Sequence, residues 1–302
     1  MKPVNVYKNE KYKNKIQESY QALLDQWNCH TTDIYIEGRY GTTHVIECGS
    51  LDKMPLLLFH GVGDDAALMW VYNAKELGEH FHIYAVDTLG GPGKSTPGTG
   101  YGKDFEDVTW IDEILDYLKI DSAHFAGVSN GSSIIQMYAV ERPNRVIKAI
   151  SMAGGPSIKP KDASNNNAKS RAMLTMMKVF LPEALLPTDK NVKKLIRKMT
   201  GDNYQAFTEN EKVFEHFKNL MVGFNRAAMM SHKVKAYSES ELLAIKDKIL
   251  YIIGNRDPFM MMGGLDLFKQ YPFNVVELEG AGHGINHEKA QEINKLIVAF
   301  LS

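Results

Sequence analysis

Cysteine is scarce in this chain. The 302 residues contain only Cys29 and Cys48, and the two do not form a Cys-x-x-Cys pair. This scarcity excludes a scaffold held together by disulfides and a cysteine-rich zinc site. It is typical of a protein from a reducing compartment, so we expect the chain to be cytoplasmic.

Long apolar runs and an excess of charge are missing as well. Runs such as LIVAFL at 296–301 are far shorter than the roughly 20 apolar residues of a membrane-spanning helix. The polar, Lys-rich start has no apolar signal-peptide core. With 35 Lys and Arg against 36 Asp and Glu, the net charge is −1, which excludes a strongly basic nucleic-acid binder. We therefore expect neither a membrane span nor a nucleic-acid partner.

The apolar residues instead form short runs that alternate with helical patterns. Residues 31–40 and 41–49 alternate between polar and apolar side chains, which predicts an antiparallel pair of strands. Continuous apolar runs, typical of parallel strands covered on both faces, follow at Pro55–Phe59, His82–Val86, Ala123–Val128, Val146–Met152, Ile249–Ile253 and Asn274–Leu278. Apolar residues recur at helical spacing between these runs. This order predicts an α/β fold with a mostly parallel sheet.

One segment, residues 156–240, contains no convincing strand. Its 15 Lys and Arg against 8 Asp and Glu give it a net charge of +7. We expect an N-terminal helical extension at 1–30, a core at 31–155 and 241–302, and a helical cap at 156–240, with helices over Arg171–Phe180, Asn191–Met199 and Glu209–Met230. The basic stretch Lys190–Lys198 is interpreted as the solvated face of a cap helix, with an anion or membrane surface as the alternative.

The strongest motif is Gly127-Val128-Ser129-Asn130-Gly131, between a predicted strand and a predicted helix. A G-x-S-x-G turn at such a junction is typical of a nucleophile elbow, because the tight turn leaves no room for side chains two residues either side of the serine. The helix N-terminus also favours developing negative charge. Ser129 is the predicted nucleophile, and the alternative is a glycine-rich turn with an ordinary surface serine.

A serine needs a base, and the base needs a carboxylate. His283, in a glycine-rich loop after the last predicted strand, is the predicted base, since ligands of open α/β sheets bind at the carboxyl ends of strands. His287 is interpreted as a cap or surface residue. Asp257, directly after the run Ile249–Ile253, is the predicted carboxylate, and Asp266 is the weaker alternative.

The loop His60-Gly61-Val62-Gly63 follows a predicted strand. We expect the backbone N–H groups of Val62 and Asn130 to form an oxyanion hole, with His60 bracing the loop; a turn that needs a positive φ is the alternative. Asp64 and Asp65 lack further ligands at metal spacing, so a helix N-cap is the preferred interpretation. The stretch Gly93-Lys94-Ser95 imitates a phosphate-binding loop, but turn residues follow it instead of a helix. We therefore expect no metal and no cofactor.

These motifs resemble the α/β-hydrolase superfamily, and more closely its bacterial capped carboxylesterase-like serine hydrolases. The matching stretches are HGVG at 60–63, the loop from Asp87 to Ser95, GVSNG at 127–131, GNRDP at 254–258 and GAGH at 280–283. The resemblance implies an eight-stranded sheet, a cap after strand six, and hydrolysis of esters or related bonds without a cofactor. The Asp87–Ser95 loop carries one residue more than the family pattern, and Ser132 stands where a third glycine is common.

The sequence predicts a carboxylesterase that acts on small to medium, partly apolar esters through an acyl-enzyme on Ser129. Acyl transfer, amide hydrolysis or C–C bond hydrolysis on the same triad remains an alternative. A signalling hydrolase whose cap docks a partner is a third interpretation, and its support is the charge of +7 on residues 156–240.

Overall fold

The computed structural model describes residues 4–159, 186–260 and 264–302. In the described residues, nine strands form one sheet. They are β1 (Thr31–Gly38), β2 (Gly41–Cys48), β3 (Pro55–Phe59), β4 (His82–Val86), β5 (Thr96–Pro97), β6 (Ala123–Val128), β7 (Val146–Met152), β8 (Ile249–Gly254) and β9 (Asn274–Leu278).

The strand order is β1-β2-β4-β3-β6-β7-β8-β9, and β5 pairs with β2. The pairs β1–β2, β2–β4 and β2–β5 are antiparallel, whereas every pair from β4 to β9 is parallel. The prediction of an antiparallel pair followed by a parallel sheet is confirmed; the short ninth strand β5 was not predicted. Because β3 lies between β4 and β6, the chain reverses its direction of winding there. Ligands of open α/β sheets bind at the carboxyl ends of the strands beside such a reversal.

Helices cover both faces of the sheet. They are α1 (Glu10–Leu24), α2 (Ala66–Met69), α3 (Ala74–Gly78), α4 (Asp107–Tyr117), α5 (Asn130–Glu141), α6 (Asp189–Met199), α7 (Gln205–Thr208), α8 (Glu211–Gly223), α9 (Glu239–Leu243), α10 (Gly264–Gln270), α11 (Ile285–Glu288) and α12 (Ala290–Leu301), with 3-10 turns at Arg226–Met229 and Lys246–Lys248. Within the described part of the chain, no helix has the length and apolar character needed to cross a membrane.

Two buried cores lie on opposite faces of the sheet, and strand β3 shows how. Leu56 and Leu58 belong to one core, whereas Leu57 and Phe59 belong to the other. Side chains alternate between the faces of a strand, so a strand covered on both faces must be apolar throughout. This is why the continuous apolar runs predicted the parallel strands.

The prediction of a helix over Glu209–Met230 is wrong at the C-terminal end, where the helix is shorter than predicted. Helix α8 stops at Gly223, and a separate 3-10 turn spans Arg226–Met229. Gly223 lies directly against Tyr12 and Ile16 of α1, and Phe224 forms a β-bridge with Tyr7. The chain therefore leaves the helix because a distant N-terminal segment supplies an extended partner.

Two further helices were predicted within residues 156–240, and their outcomes differ. Helix α6 occupies Asp189–Met199 and buries Val192, Leu195 and Ile196, so its basic residues lie on the opposite side. The predicted helix Arg171–Phe180 lies outside the described residues.

Asp87, at the carboxyl end of β4, is buried and collects hydrogen bonds from distant elements. Its carboxylate accepts from the Tyr20 hydroxyl of α1 at 2.8 Å and pairs with His44 Nδ1 at 2.7 Å. The backbone N–H groups of Ala66 and Lys94 donate to it at 3.0 and 2.8 Å. Burial alone raises the pKa of Asp87, but hydrogen bonding and the charge of His44 outweigh it and hold the pKa well below its usual range.

Replacing Tyr20 with Phe tests this tie between α1 and the sheet. We expect the free energy of unfolding to fall by about 1.5–3 kcal/mol, because a buried carboxylate loses a charge-assisted hydrogen bond. Urea unfolding measures the change. Tyr117→Phe, at a position that is 55% exposed, is the matched control, and an equal effect of both substitutions would contradict the expectation.

Candidate active site

Ser129 lies in a sharp turn between β6 and α5, with φ 56° and ψ −113°. A positive φ at a residue with a side chain is strained and costs about 1–3 kcal/mol. A Cβ on Gly127 would meet the backbone of Gly131, and a Cβ on Gly131 would meet the carbonyl of Phe59. Both glycines are therefore required by close backbone approach, as expected for the elbow.

The three predicted triad side chains meet at the carboxyl edge of the sheet. His283 Nε2 lies 3.0 Å from Ser129 Oγ, and His283 Nδ1 lies 2.8 Å from Asp257 Oδ2. A carboxylate only accepts hydrogen bonds, so Nδ1 carries the proton of a neutral imidazole and Nε2 is left to accept from the serine hydroxyl. Asp257 is fully buried, while the His283 side chain is 14% exposed.

Local contacts hold the side chain of Asp257 and the loop of His283 in place. The Phe259 backbone N–H donates to Asp257 Oδ1 at 2.8 Å, so each carboxylate oxygen has a donor. The Phe259 ring lies 4.4 Å from the His283 ring between centroids. The His283 backbone N–H donates to the Met199 carbonyl, at the end of α6, at 2.7 Å.

The two weaker candidates lie elsewhere. Asp266 is on α10, where it pairs with Lys269 at the surface. His287 was interpreted as a cap or surface residue, and that interpretation is wrong, because its ring is buried between Phe207 and Tyr72. Its Nε2 lies 2.9 Å from the Leu68 carbonyl, and burial lowers the pKa of His287 to about 4.

The loop after β3 lies beside the serine. A Cβ on Gly61 would lie 3.2 Å from Ser129 Cβ, and the next residue, Val62, is 53% exposed. The Thr88 backbone N–H donates to His60 Nε2 at 2.9 Å, so His60 Nδ1 carries the proton and donates to the Gly61 carbonyl at 2.8 Å. Burial lowers the pKa of His60. Both ring nitrogens of His60 are therefore hydrogen-bonded, and this neutral imidazole braces the loop.

The neighbouring motifs serve structure. Asp65 is the N-cap of α2, accepting from the Leu68 backbone N–H at 3.0 Å. Ser95 Oγ donates to the Asp87 carbonyl, and strand β5 follows instead of a helix, so the phosphate-loop geometry is not formed at Gly93-Lys94-Ser95. Within the three described ranges, no group of three His, Cys, Asp or Glu side chains is arranged to hold a metal ion.

Glu288 was not among the predicted site residues, yet its carboxylate lies at the base of the His283 loop. It is 4% exposed and accepts from the backbone N–H groups of Gly201 at 2.6 Å and Gly282 at 3.1 Å. Burial raises the pKa of Glu288 to about 7, and the two N–H groups oppose that rise. A glutamate at a helix end ordinarily predicts an exposed side chain, so the residue type gave no signal.

The chain belongs to the alpha/beta hydrolase fold family. The family model matches residues 54–290, which is more than half of the sequence. The predicted α/β-hydrolase architecture is thereby confirmed.

Individual known proteins are similar over most of the chain. Carboxylesterase YbfK of Bacillus subtilis (strain 168) is 25% identical over 300 residues, which cover 95% of this chain and 93% of the relative. A 2-hydroxy-6-oxononadienedioate/2-hydroxy-6-oxononatrienedioate hydrolase of Burkholderia vietnamiensis (strain G4 / LMG 22486) is 26% identical over 264 residues, covering 82% of this chain and 86% of the relative. The crystal structure of naproxen esterase (carboxylesterase NP) from Bacillus subtilis has a TM-score of 0.77 at 21% identity, covering 98% of this chain and 100% of that chain. At that identity, the structural likeness establishes the fold alone.

Replacing Gly131 with Ala tests whether the elbow depends on close backbone approach. We expect the free energy of unfolding to fall by about 1–3 kcal/mol or more, because the added methyl overlaps backbone that cannot move independently. Gly155→Ala is the control, since its Cβ would make only an ordinary contact with Met260 and should change stability by less than about 0.5 kcal/mol. Thermal unfolding of both variants decides the matter; equal stabilities would contradict the expectation.

Proposed function

We propose that this protein is a serine hydrolase that cleaves carboxylic esters, most of them small to medium and partly apolar. The observation that carries the proposal is the pair of distances around His283, 3.0 Å to the Ser129 hydroxyl and 2.8 Å to the Asp257 carboxylate. The strained turn at Ser129 adds support, because it presents the hydroxyl at a helix N-terminus. The proposed catalytic residues are Ser129, His283 and Asp257.

The first half of the reaction forms an acyl-enzyme. Ser129 Oγ attacks the ester carbonyl carbon while its proton passes to His283 Nε2. The carbonyl oxygen becomes an oxyanion, for which the backbone N–H groups of Val62 and Asn130 are the proposed donors. One such donor typically lowers the barrier by about 2.7–4 kcal/mol. Buried Asp257 stabilises the positive imidazolium.

The second half releases the acid. The imidazolium of His283 gives its proton to the alcohol oxygen as the C–O bond breaks, which leaves the acyl group on Ser129. A water molecule then gives a proton to the same nitrogen and attacks the acyl carbon. Collapse of the second tetrahedral intermediate returns the proton to Ser129 Oγ and frees the carboxylic acid. No cofactor or metal is needed in this scheme.

The surroundings of the serine support an ester with an apolar part. The Met69 methyl would lie 3.8 Å from a Cβ on Gly61, beside the nucleophile, and the Phe259 ring packs on His283. Flexible thioethers and aromatic rings suit apolar acyl or alcohol groups of varied shape. We also propose that residues 156–240 form a cap over this site. The carboxylesterase names of similar proteins agree with this substrate class.

A second candidate is hydrolysis of a C–C bond next to a carbonyl by the same three residues. It is favoured by the similarity to the Burkholderia hydrolase named above. A panel of esters and vinylogous 1,5-diketones separates the two candidates by which class is turned over.

The buried or half-buried free thiols of Cys29 and Cys48 agree with our further proposal that the protein works in the cytoplasm.

Ser129→Ala tests the proposed nucleophile. We expect kcat for p-nitrophenyl acetate to fall at least about 10³-fold, because the acyl-enzyme cannot form. A labelled fluorophosphonate should no longer attach to the protein.

Ser133→Ala, one helical turn away on α5, is the control. It should keep both the activity and the label. Ester turnover by Ser129→Ala at the wild-type rate would rule out the proposed mechanism.

A further inference from the structure

The loop that carries His283 is joined to the chain between α6 and α7 by direct backbone contact. The His283 N–H donates to the Met199 carbonyl, and the Asp202 N–H donates to the Gly280 carbonyl, both at 2.7 Å. A Cβ on Gly201 would collide with the backbone of Gly280, and a Cβ on Gly282 would collide with that of Thr200. We call this contact, Met199–Asn203 against Gly280–Gly284, the histidine junction.

Glu288 spans the histidine junction with one side chain. Its Oε2 accepts from Gly201 on one side, and its Oε1 accepts from Gly282, the residue before His283, on the other. The Glu288 backbone carbonyl also accepts from Asn203 Nδ2 at 2.9 Å. The carboxylate thus fixes the backbone on both sides of the junction at the point where His283 leaves it.

We propose that Glu288 is a positioning residue that holds His283 in bonding reach of Ser129 and couples that placement to the segment after α6. This inference rests on the proposed function. Glu288 touches neither the serine nor the imidazole, so it acts only through the loop. A displacement of about 1 Å at a catalytic group is enough to slow a reaction roughly 10²-fold, which gives such a brace a large effect.

The brace works through an ionised carboxylate. Both oxygens of a carboxylate accept, whereas a protonated carboxyl turns an O–H toward one of the two N–H groups. The charged groups that act on Glu288 are Asp257, in the loop after β8, and Lys289, the next residue in the chain. Its two N–H donors, Gly282 and Gly201, are followed in the chain by the titratable residues His283 and Asp202. Because burial and Asp257 raise the pKa of Glu288 to about 7, the brace weakens as the pH falls through that value.

Ionisation of Glu288 also has a cost in stability. A carboxyl whose pKa is raised on folding stabilises the fold most when it is protonated in both states, at pH below the unfolded value. That contribution is lost as the pH rises from about 4.3, the ordinary glutamate pKa, through about 7. The pH range in which Glu288 braces the loop is therefore the range in which it stabilises the fold least.

Glu288→Gln imitates the protonated state, because its amide accepts through one oxygen only. At pH 8 we expect kcat for p-nitrophenyl acetate to fall about 10-fold with KM changed less than 2-fold, since the loop acts on proton transfer and not on substrate binding. The ratio of wild-type kcat to variant kcat should fall from about 10 at pH 8 toward 1 at pH 5.5, where Glu288 of the wild type is itself protonated. The loss of melting temperature between pH 5.5 and pH 8 should also be smaller than in the wild type.

Glu292→Gln, an exposed position on α12, is the matched control and should behave as the wild type. Unchanged kcat in Glu288→Gln, or a reduced kcat whose ratio to the wild-type value is the same at pH 5.5 and pH 8, would overturn the inference. If Glu288→Gln does not fold, Gly201→Ala replaces it. The added methyl separates the two sides of the histidine junction, so kcat should fall while KM holds, and wild-type kcat would overturn the inference.

Ser129→Ala is assayed in parallel. Full activity there rejects the proposed function itself, whereas an inactive Ser129→Ala beside an unaffected Glu288→Gln rejects only the role of Glu288.

Discussion

The close approach of two backbone segments at the Ser129 turn is the constraint around which the carboxyl edge of the sheet is built. Gly127 and Gly131 touch there without side chains, and the carbonyl of Phe59 on the neighbouring strand fills the remaining space. The Ser129 N–H donates to the Met152 carbonyl of β7 at 2.9 Å. A strained φ persists only where the surroundings over-determine it, and here two parallel strands and a buried helix do so. The loop at His60–Gly63 is positioned by the same contact, because its first glycine lies against the serine.

Buried carboxylates connect this edge to elements that are distant in sequence. Asp87 ties α1 and β2 to the loop after β4, and Asp65 pairs with His216 of α8 at 2.7 Å while it caps α2. Glu288 joins the α6–α7 segment to the His283 loop. A buried charge is tolerated only when hydrogen bonds and opposite charge replace water. Each carboxylate therefore specifies one arrangement of the loops it joins, and removing a partner leaves a charge unsatisfied.

What the sequence predicts well in this chain is what is encoded locally. The parallel strands are continuous apolar runs, and Ser129, His283 and Asp257 each stand in short motifs at strand ends. The end of α8, strand β5, the burial of His287 and the role of Glu288 were missed, because each depends on contacts with residues far away in the chain. Gly223 ends α8 where Tyr12 and Ile16 pack on it, and no pattern within residues 209–230 contains that information. Spacing and periodicity predict local secondary structure. They do not predict which distant segment of the chain packs against it.

The hydrogen-bond distances of a Ser–His–carboxylate relay do not by themselves define a catalytic site. A second set of three residues in this chain shows why. Ser19 Oγ lies 2.8 Å from His216 Nδ1, and His216 Nε2 lies 2.7 Å from Asp65. That second arrangement matches the distances around His283, but the Ser19 hydroxyl donates to the Lys15 carbonyl within its own helix, and the His216 side chain has no exposure. The Ser19 hydroxyl therefore has a competing acceptor within its own helix, and Ser19 lies on a regular helix instead of a strained turn beside a glycine loop. What distinguishes Ser129 is thus the backbone around the hydroxyl: a turn that frees it from its own helix, a helix N-terminus behind it, and a neighbouring glycine loop whose Gly61 lies against the serine.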